Sequence, residues 1–468
     1  MYDVVVLGAG PVGENVAARV VRGGLSAVVV EAELVGGECS YWACTPSKAL
    51  LRPGTALRAA RDVGGAAEAV TGRLDVPAVL ARRDSFASGW DDAGQVEWLE
   101  GAGIDLVRGR GRLAGARRVE VTGQDGSTRV LAARRAVVLA TGSRPTVAPL
   151  EGLADVEHWG TREATAAQEV PESLAVIGGG VAGTELAQAF ARLGARVTVV
   201  ARSGLLGRFP APAARLVAQA LEAEGVTLLE GRGTERVRSE GDGVRLDLDD
   251  GTAVTARRLL VATGRHPALE DLGLEDLGLE PTRVEADSSG LVAGVDGSWL
   301  YAVGDAAGTA PLTHMGKYEA RAAGDAIAAR AAGDLGDTVK PWSRYAATAV
   351  RPAVPQVVFT DPAVAMVGRT AERAREDGLA VHTVERDIDV AGASLHDDRY
   401  RGWAQLVVDR DRRVVVGATF AGPDVAELLH AATVAIVGEV PLERLWHAVP
   451  VFPTVSEVWL RLLEDYGL

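Results

Sequence analysis

Two glycine-rich strings constrain this fold more than any other feature of the chain. The first, Gly8-Ala9-Gly10-Pro11-Val12-Gly13, closes the apolar run from Asp3 to Leu7. The second, Gly178-Gly179-Gly180-Val181-Ala182-Gly183, closes Leu174 to Ile177, 170 positions later. A helical pattern follows each, Glu14 to Arg22 and a stretch running through Leu193, and then a further apolar run, Ala27–Val30 or Arg196–Val200. Strand, GxGxxG turn, helix and strand make a βαβ unit. Its glycines serve a tight turn, the approach of backbone to a pyrophosphate, and close helix packing. Gly8, Gly10 and Gly13, with Gly178, Gly180 and Gly183, therefore predict an α/β protein with two Rossmann-like dinucleotide-binding domains.

The residue that ends the second strand of each unit separates the two ligands. Glu31 can accept a hydrogen bond from a ribose hydroxyl. Its counterpart is Ala201, followed by Arg202 and Arg208. A carboxylate would repel a 2′-phosphate, whereas guanidinium groups pair with one, so the second unit is expected to prefer NADPH over NADH. Two further buried strands end in Thr141-Gly142 and Thr263-Gly264, and a third in Gly304-Asp305. Asp305 is a candidate acceptor for cofactor hydroxyls, or a helix N-cap. From His314 onward the chain reads as a helix, Met315 to Ala332, whose positive end can face an electron-rich ring.

At 468 residues the chain should hold two to four domains. The expected division is 1–150 with 271–340, then 151–270, then a C-terminal α+β domain over 341–468. A net charge of −14 argues against nucleic acid or an anionic membrane as partner. No apolar run reaches the roughly 18 residues of a spanning helix. The first strand starts at Tyr2, leaving no room for a signal peptide, and the expected location is the cytoplasm. No residue cluster suggests a metal.

The only two cysteines, Cys39 and Cys44, stand five positions apart between Gly36-Gly37 and Pro46-Ser47-Lys48. Pairing the only thiols of a large chain points to redox chemistry more than to packing. On one regular helix they would be about 7.5 Å apart along the axis, so a bridge needs a distorted turn and would be easily reduced.

Gly36-Gly37-x-Cys39-x4-Cys44-x-Pro46-Ser47-Lys48, the two fingerprints and Ala302-Val303-Gly304-Asp305 together resemble the FAD-dependent pyridine nucleotide–disulfide oxidoreductases, class I. That group contains glutathione reductase, dihydrolipoamide dehydrogenase and mercuric reductase. The resemblance covers essentially the whole chain. It implies FAD on the first unit, NAD(P)H on the second, and a homodimer built through a C-terminal dimerisation domain. By position, Cys44 is the flavin-side thiol and Cys39 the outer thiol that attacks the acceptor. Lys48, paired with Glu185, sits near the reactive nitrogen of the flavin, where a cation stabilises the reduced ring.

The C-terminus departs from the pattern. Relatives read His-Pro-Thr and then Ser-Glu, the His and Glu forming an acid–base dyad. Here the string is Phe452-Pro453-Thr454-Val455-Ser456-Glu457, so the glutamate remains and the imidazole is gone. Phenylalanine cannot protonate a leaving thiolate, a step worth about 10²–10⁴ in rate. His447, on what reads as a helix, is the nearest alternative. Tyr41-Trp42 between the cysteines is a second departure, and with Phe452 and Trp446 or Trp459 these rings either face an aromatic acceptor or fill an interface. Three activities follow: an NADPH-dependent reductase working through Cys39–Cys44 on a disulfide or other small electrophile; an NADPH quinone reductase or diaphorase; or a dihydrolipoamide dehydrogenase-like subunit. A mercury substrate is disfavoured, because no C-terminal cysteine pair is present to hand over the metal.

Overall fold

The computed structural model describes all 468 residues. The chain is an α/β protein that separates into two compact units. One comprises Met1–Thr45, Asp84–Thr146 and Arg265–Val350; the other comprises Pro46–Arg83, Val147–Gly264 and Arg351–Leu468.

The first unit is built on β1 (Tyr2–Leu7), which pairs in parallel with β2 (Ala27–Glu31) on one side and with Thr128–Leu139 on the other. β3 (Asp105–Arg108) extends the sheet beyond β2, and Leu300–Ala302 joins Thr128–Leu139, again in parallel. β1 shows why these runs are so apolar. Val4 and Val6 belong to one core cluster and Val5 and Leu7 to another, so alternate side chains are buried on both faces of the sheet. Helix α1 (Pro11–Arg22) crosses from β1 to β2 and packs closely along the long helix Thr313–Ala332. Both helices start earlier than the sequence pattern suggests, at Pro11 and Thr313. Proline at a first turn has no amide to leave unsatisfied.

The second unit repeats the arrangement with a smaller parallel sheet, in the order Thr227–Glu230, Arg196–Ala201, Ser173–Ile177, Arg258–Val261. Helix Val181–Arg192 takes the place of α1. The same unit holds a five-stranded antiparallel sheet whose strand Val414–Gly422 is buried along its whole length. Phe359–Pro362 forms the turn between two strands of that sheet, Pro355–Val358 and Ala363–Gly368. No helix is long and apolar enough to cross a membrane.

The cysteine stretch is not one helix. α2 (Gly37–Tyr41) carries Cys39 and α3 (Cys44–Arg61) opens on Cys44. The break falls at Trp42, whose φ of −137° and ψ of 3° leave the helical region. The axial separation that a continuous helix would impose therefore does not apply.

Candidate redox and dinucleotide sites

The break between α2 and α3 turns both sulfurs toward the N-terminus of helix Thr313–Ala332. Thr313 Oγ1 donates to Cys39 Sγ at 3.2 Å and lies 3.4 Å from Cys44 Sγ, so one hydroxyl spans the pair. Neither cysteine is in a disulfide; Cys39 is half-buried and Cys44 exposed. The hydrogen bond between the thiols, with burial, pushes the Cys39 thiol well up, and Thr313 and Lys317 pull the other way. Sequence reasoning missed Thr313. Its only signal in the sequence is its place two residues ahead of the expected helix start at Met315.

The aromatic insert is divided between core and surface. Tyr41 is buried in its own unit, donates its hydroxyl to Val35 O at 2.9 Å, and packs beside Gly36. Its side chain is therefore packed inside its own unit and not presented at the surface. Trp42 is half-buried, its ring centroid 5.6 Å from that of Tyr41.

The first fingerprint is a cradle that side chains would block. Gly8 has φ of +96°, and a Cβ there would come 2.4 Å from Ala140 O; at Gly13 it would come 1.9 Å from Gly8 O. At Gly10, by contrast, the nearest atom to such a Cβ is Gly37 Cα at 3.8 Å, and α1 has no side-chain cap. Its free amides are a ready anion site. Glu31, raised by burial, accepts from Ala9 N at 2.7 Å and Glu33 N at 2.8 Å. Ser143 Oγ donates to Asp305 Oδ2 at 2.6 Å, and Arg265 donates to Ser143 and pairs with Glu38 of α2. Thr141 Oγ1 donates to Ala268 O at 2.7 Å, Gly142 has open space around it, and His314 is exposed.

The second fingerprint repeats the close approaches, with Gly178 2.4 Å from Ala262 O and Gly183 2.2 Å from Gly178 O on the same construction. Gly180 and Gly264 have open space, and helix Val181–Arg192 also lacks a side-chain cap. Arg202 and Arg208 are exposed, and neither pairs with a carboxylate. Leu205 N donates to Glu230 at 2.6 Å, which fixes the turn between the two arginines. An open helix N-terminus and two unpaired guanidinium groups fit a phosphate-bearing nucleotide.

Lys48 and Glu185 meet within the second unit. Lys48 Nζ donates to Glu185 Oε2 at 2.7 Å and lies 4.9 Å from the centre of the Phe359 ring, while Phe359 N donates to Glu185 Oε1 at 2.8 Å. Glu457 is buried at the start of helix Val458–Tyr466. Its Oε1 accepts from Arg461 at 2.6 Å and its Oε2 has no partner. Phe452 is exposed, Trp459 packs on Phe420, and His447 lies exposed just past the short helix Leu442–Leu445 rather than on it.

A spatially paired dithiol, two glycine-cradled dinucleotide folds and a C-terminal sheet domain define a flavoenzyme of the disulfide oxidoreductase class. The chain belongs to the pyridine nucleotide–disulphide oxidoreductases: that family's model matches residues 2–327, and its dimerisation-domain model matches residues 354–462. The chain is 32% identical to a dihydrolipoyl dehydrogenase of Haloferax volcanii, over 99% of this chain and 96% of that one. It is also 32% identical to a mercuric reductase of Shigella flexneri, over 97% of this chain and 78% of the other. In fold it is similar to the HOCl-induced flavoprotein disulfide reductase RclA of Escherichia coli, solved as a Cu(II) complex, with a TM-score of 0.84 at 22% identity over 99% of both chains. LpdA of Mycobacterium tuberculosis gives 0.83 at 24%, again over 99% of both chains.

Proposed function

We propose that this chain is an NADPH-dependent FAD enzyme that passes electrons through Cys39 and Cys44 to a disulfide or comparable electrophile. One observation carries the reading: the only two cysteines of the chain converge on a single hydroxyl, that of Thr313. FAD would be held by the Gly8–Gly13 cradle, Glu31, Thr141, Gly142, Asp305 and His314. Bound there it supplies the two-electron chemistry that links a nicotinamide hydride to a thiol pair. Lys48, fixed by Glu185, offsets negative charge, and Cys39 is the nucleophile toward the acceptor. The reading assigns 1–150 with 271–340 to FAD, 151–270 to NADPH and 341–468 to a homodimer interface. A working dithiol without structural disulfides favours the cytoplasm.

The test is an acceptor screen of the NADPH-reduced enzyme under anaerobic conditions, wild type against Cys39→Ser. Disulfide turnover by the variant should fall to background while NADPH still reduces the flavin. Retained disulfide turnover would sink the proposal. A second reading, direct transfer from flavin to quinones, is favoured by the exposed Phe452 ring, which offers no proton donor, and by the capture of Glu457 by Arg461. In that case Cys39→Ser leaves quinone reduction intact. A lipoamide role, suggested by the dihydrolipoyl dehydrogenase relatives, is opposed by the missing imidazole; turnover of dihydrolipoamide by the isolated dimer would revive it.

The preference for NADPH rests on Arg202 and Arg208. Charge-assisted hydrogen bonds are worth about 1.5–3 kcal/mol each. Replacing both arginines by alanine should therefore lower kcat/KM for NADPH by a factor of about 100 or more and leave NADH nearly unchanged. Equal losses with both nucleotides would refute the assignment.

A further inference from the structure

The turn Phe359–Pro362 carries the most heavily paired buried carboxylate near the Lys48–Glu185 pair. Asp361 is buried, and its carboxylate is shared by Arg58 of α3 and by Arg192 of the second fingerprint helix, the latter at 2.9 Å. Its backbone is clasped as well: Asp361 N donates to Gln188 Oε1 and Gln188 Nε2 donates to Asp361 O, both at 2.8 Å. Gln188 is completely buried. Glu185, Gln188 and Arg192 follow one another at i, i+3 and i+7, so a single stripe of that helix receives the whole turn. Lys48, Thr55 and Arg58 form the facing stripe of α3.

Close approach of the two helices is built into α3. A Cβ at Gly54 would come 2.6 Å from Arg192 Cδ, so glycine there lets the arginine lie across the helix, and its NH1 reaches Thr55 Oγ1 at 3.3 Å. Each arginine has a further anchor: Arg58 pairs with Asp397 at 2.9 Å and Asp62 at 2.7 Å, and Arg192 pairs with Glu224 at 2.6 Å. Two residues before Asp361, the Phe359 amide donates to Glu185 and the Phe359 ring lies under the Lys48 ammonium. Glu185 thus has two named donors, the ammonium of Lys48 and an amide whose position is set by the turn.

We propose that Asp361 is a positioning residue for Lys48. It ties the turn to both helices at once, which keeps the Phe359 amide on Glu185 and the ring beneath the ammonium, and so fixes where the Lys48 charge stands. A buried carboxylate between two arginines is suited to this role, since removing one partner leaves the others uncompensated and the turn free to shift. The functional weight of the placement rests on the reading of Lys48 given above; the placement itself does not.

The chain has three lysines, Lys48, Lys317 and Lys340, so competitive amine acylation of the holoenzyme followed by peptide mass analysis reports Lys48 against two internal references. Asp361→Asn should raise the rate at Lys48 at least threefold relative to Lys317 and Lys340 and slow flavin reduction by NADPH about tenfold, and Asp361→Glu should recover most of both. Asp397→Asn is the control. It removes another partner of Arg58 without touching the turn, so it should lower the melting temperature with both readouts within twofold of wild type. If Asp361→Asn does not fold, Gln188→Met, which removes the backbone clasp without stranding a charge, is expected to give the same acylation change. Unchanged Lys48 labelling in the variant that folds, or equal changes in Asp361→Asn and Asp397→Asn, overturns the proposal. Raised labelling with unchanged flavin reduction upholds the positioning and instead removes the assigned role of Lys48.

Discussion

At the scale of single residues, Thr313 is the group whose removal should be felt most directly by the thiols. Its hydroxyl donates to Cys39 Sγ at 3.2 Å, and such a bond favours the thiolate over the thiol. Hydrogen bonds to charged groups are worth about 1.5–3 kcal/mol, or roughly one to two pKa units. Thr313→Val keeps the shape and removes the donor. Alkylation of Cys39 in the reduced enzyme at neutral pH should then slow by about tenfold or more, with the pH profile displaced upward, and Thr313→Ser should restore it. An unshifted profile in Thr313→Val would mean that the hydroxyl only packs against the sulfurs.

Among the elements, helix Thr313–Ala332 carries a pH dependence of its own. Glu319 is buried, and burial pushes its carboxyl up to about 7, with the Gly304 amide at 2.7 Å acting in the other direction. The folded state therefore holds this proton more tightly than the unfolded chain does. The stabilisation is fully present below the ordinary carboxyl range and is lost as pH rises from about 4.5 toward 7. The loss is on the order of 3 kcal/mol for a shift of that size. Glu319→Gln removes the titration, so its denaturation midpoint relative to wild type should rise between pH 5 and pH 8. A constant difference across that range would show that Glu319 does not titrate there. The elements also mark how far the sequence could be read. The two βαβ units and the C-terminal sheet were legible because glycine spacing and apolar runs reflect local backbone requirements. Lys48 was legible as a candidate from its place in the cysteine motif. The break at Trp42 and the burial of Tyr41 depend on how α2 packs against its own unit, and a pattern five residues long does not encode that. Thr313 is missed for a related reason: its role comes from a partner 274 residues away whose position only the folded chain fixes. Arg461 stands at helical i,i+4 spacing from Glu457, which the sequence does show; the burial of Glu457 it does not.

On the scale of the whole molecule, the dimerisation domain leaves an apolar strip exposed. Val449, Val451 and Phe452 are 83%, 73% and 71% exposed, within the segment 354–462 that matches the family's dimerisation model. Large apolar side chains clustered within four positions and left this exposed are what a second copy would cover. They follow the short helix Leu442–Leu445 and precede the buried Glu457 in the chain. Val451→Asp places a charge where water would be excluded, and its desolvation is worth several kcal/mol. The dimer dissociation constant should rise by a factor of about 100 or more, read by sedimentation velocity across a dilution series. Flavin content and NADPH reduction should persist, because both fingerprints and the thiol pair lie in other segments of the chain. A Val451→Asp protein that stays dimeric at the same concentrations as wild type would place the interface elsewhere on the domain.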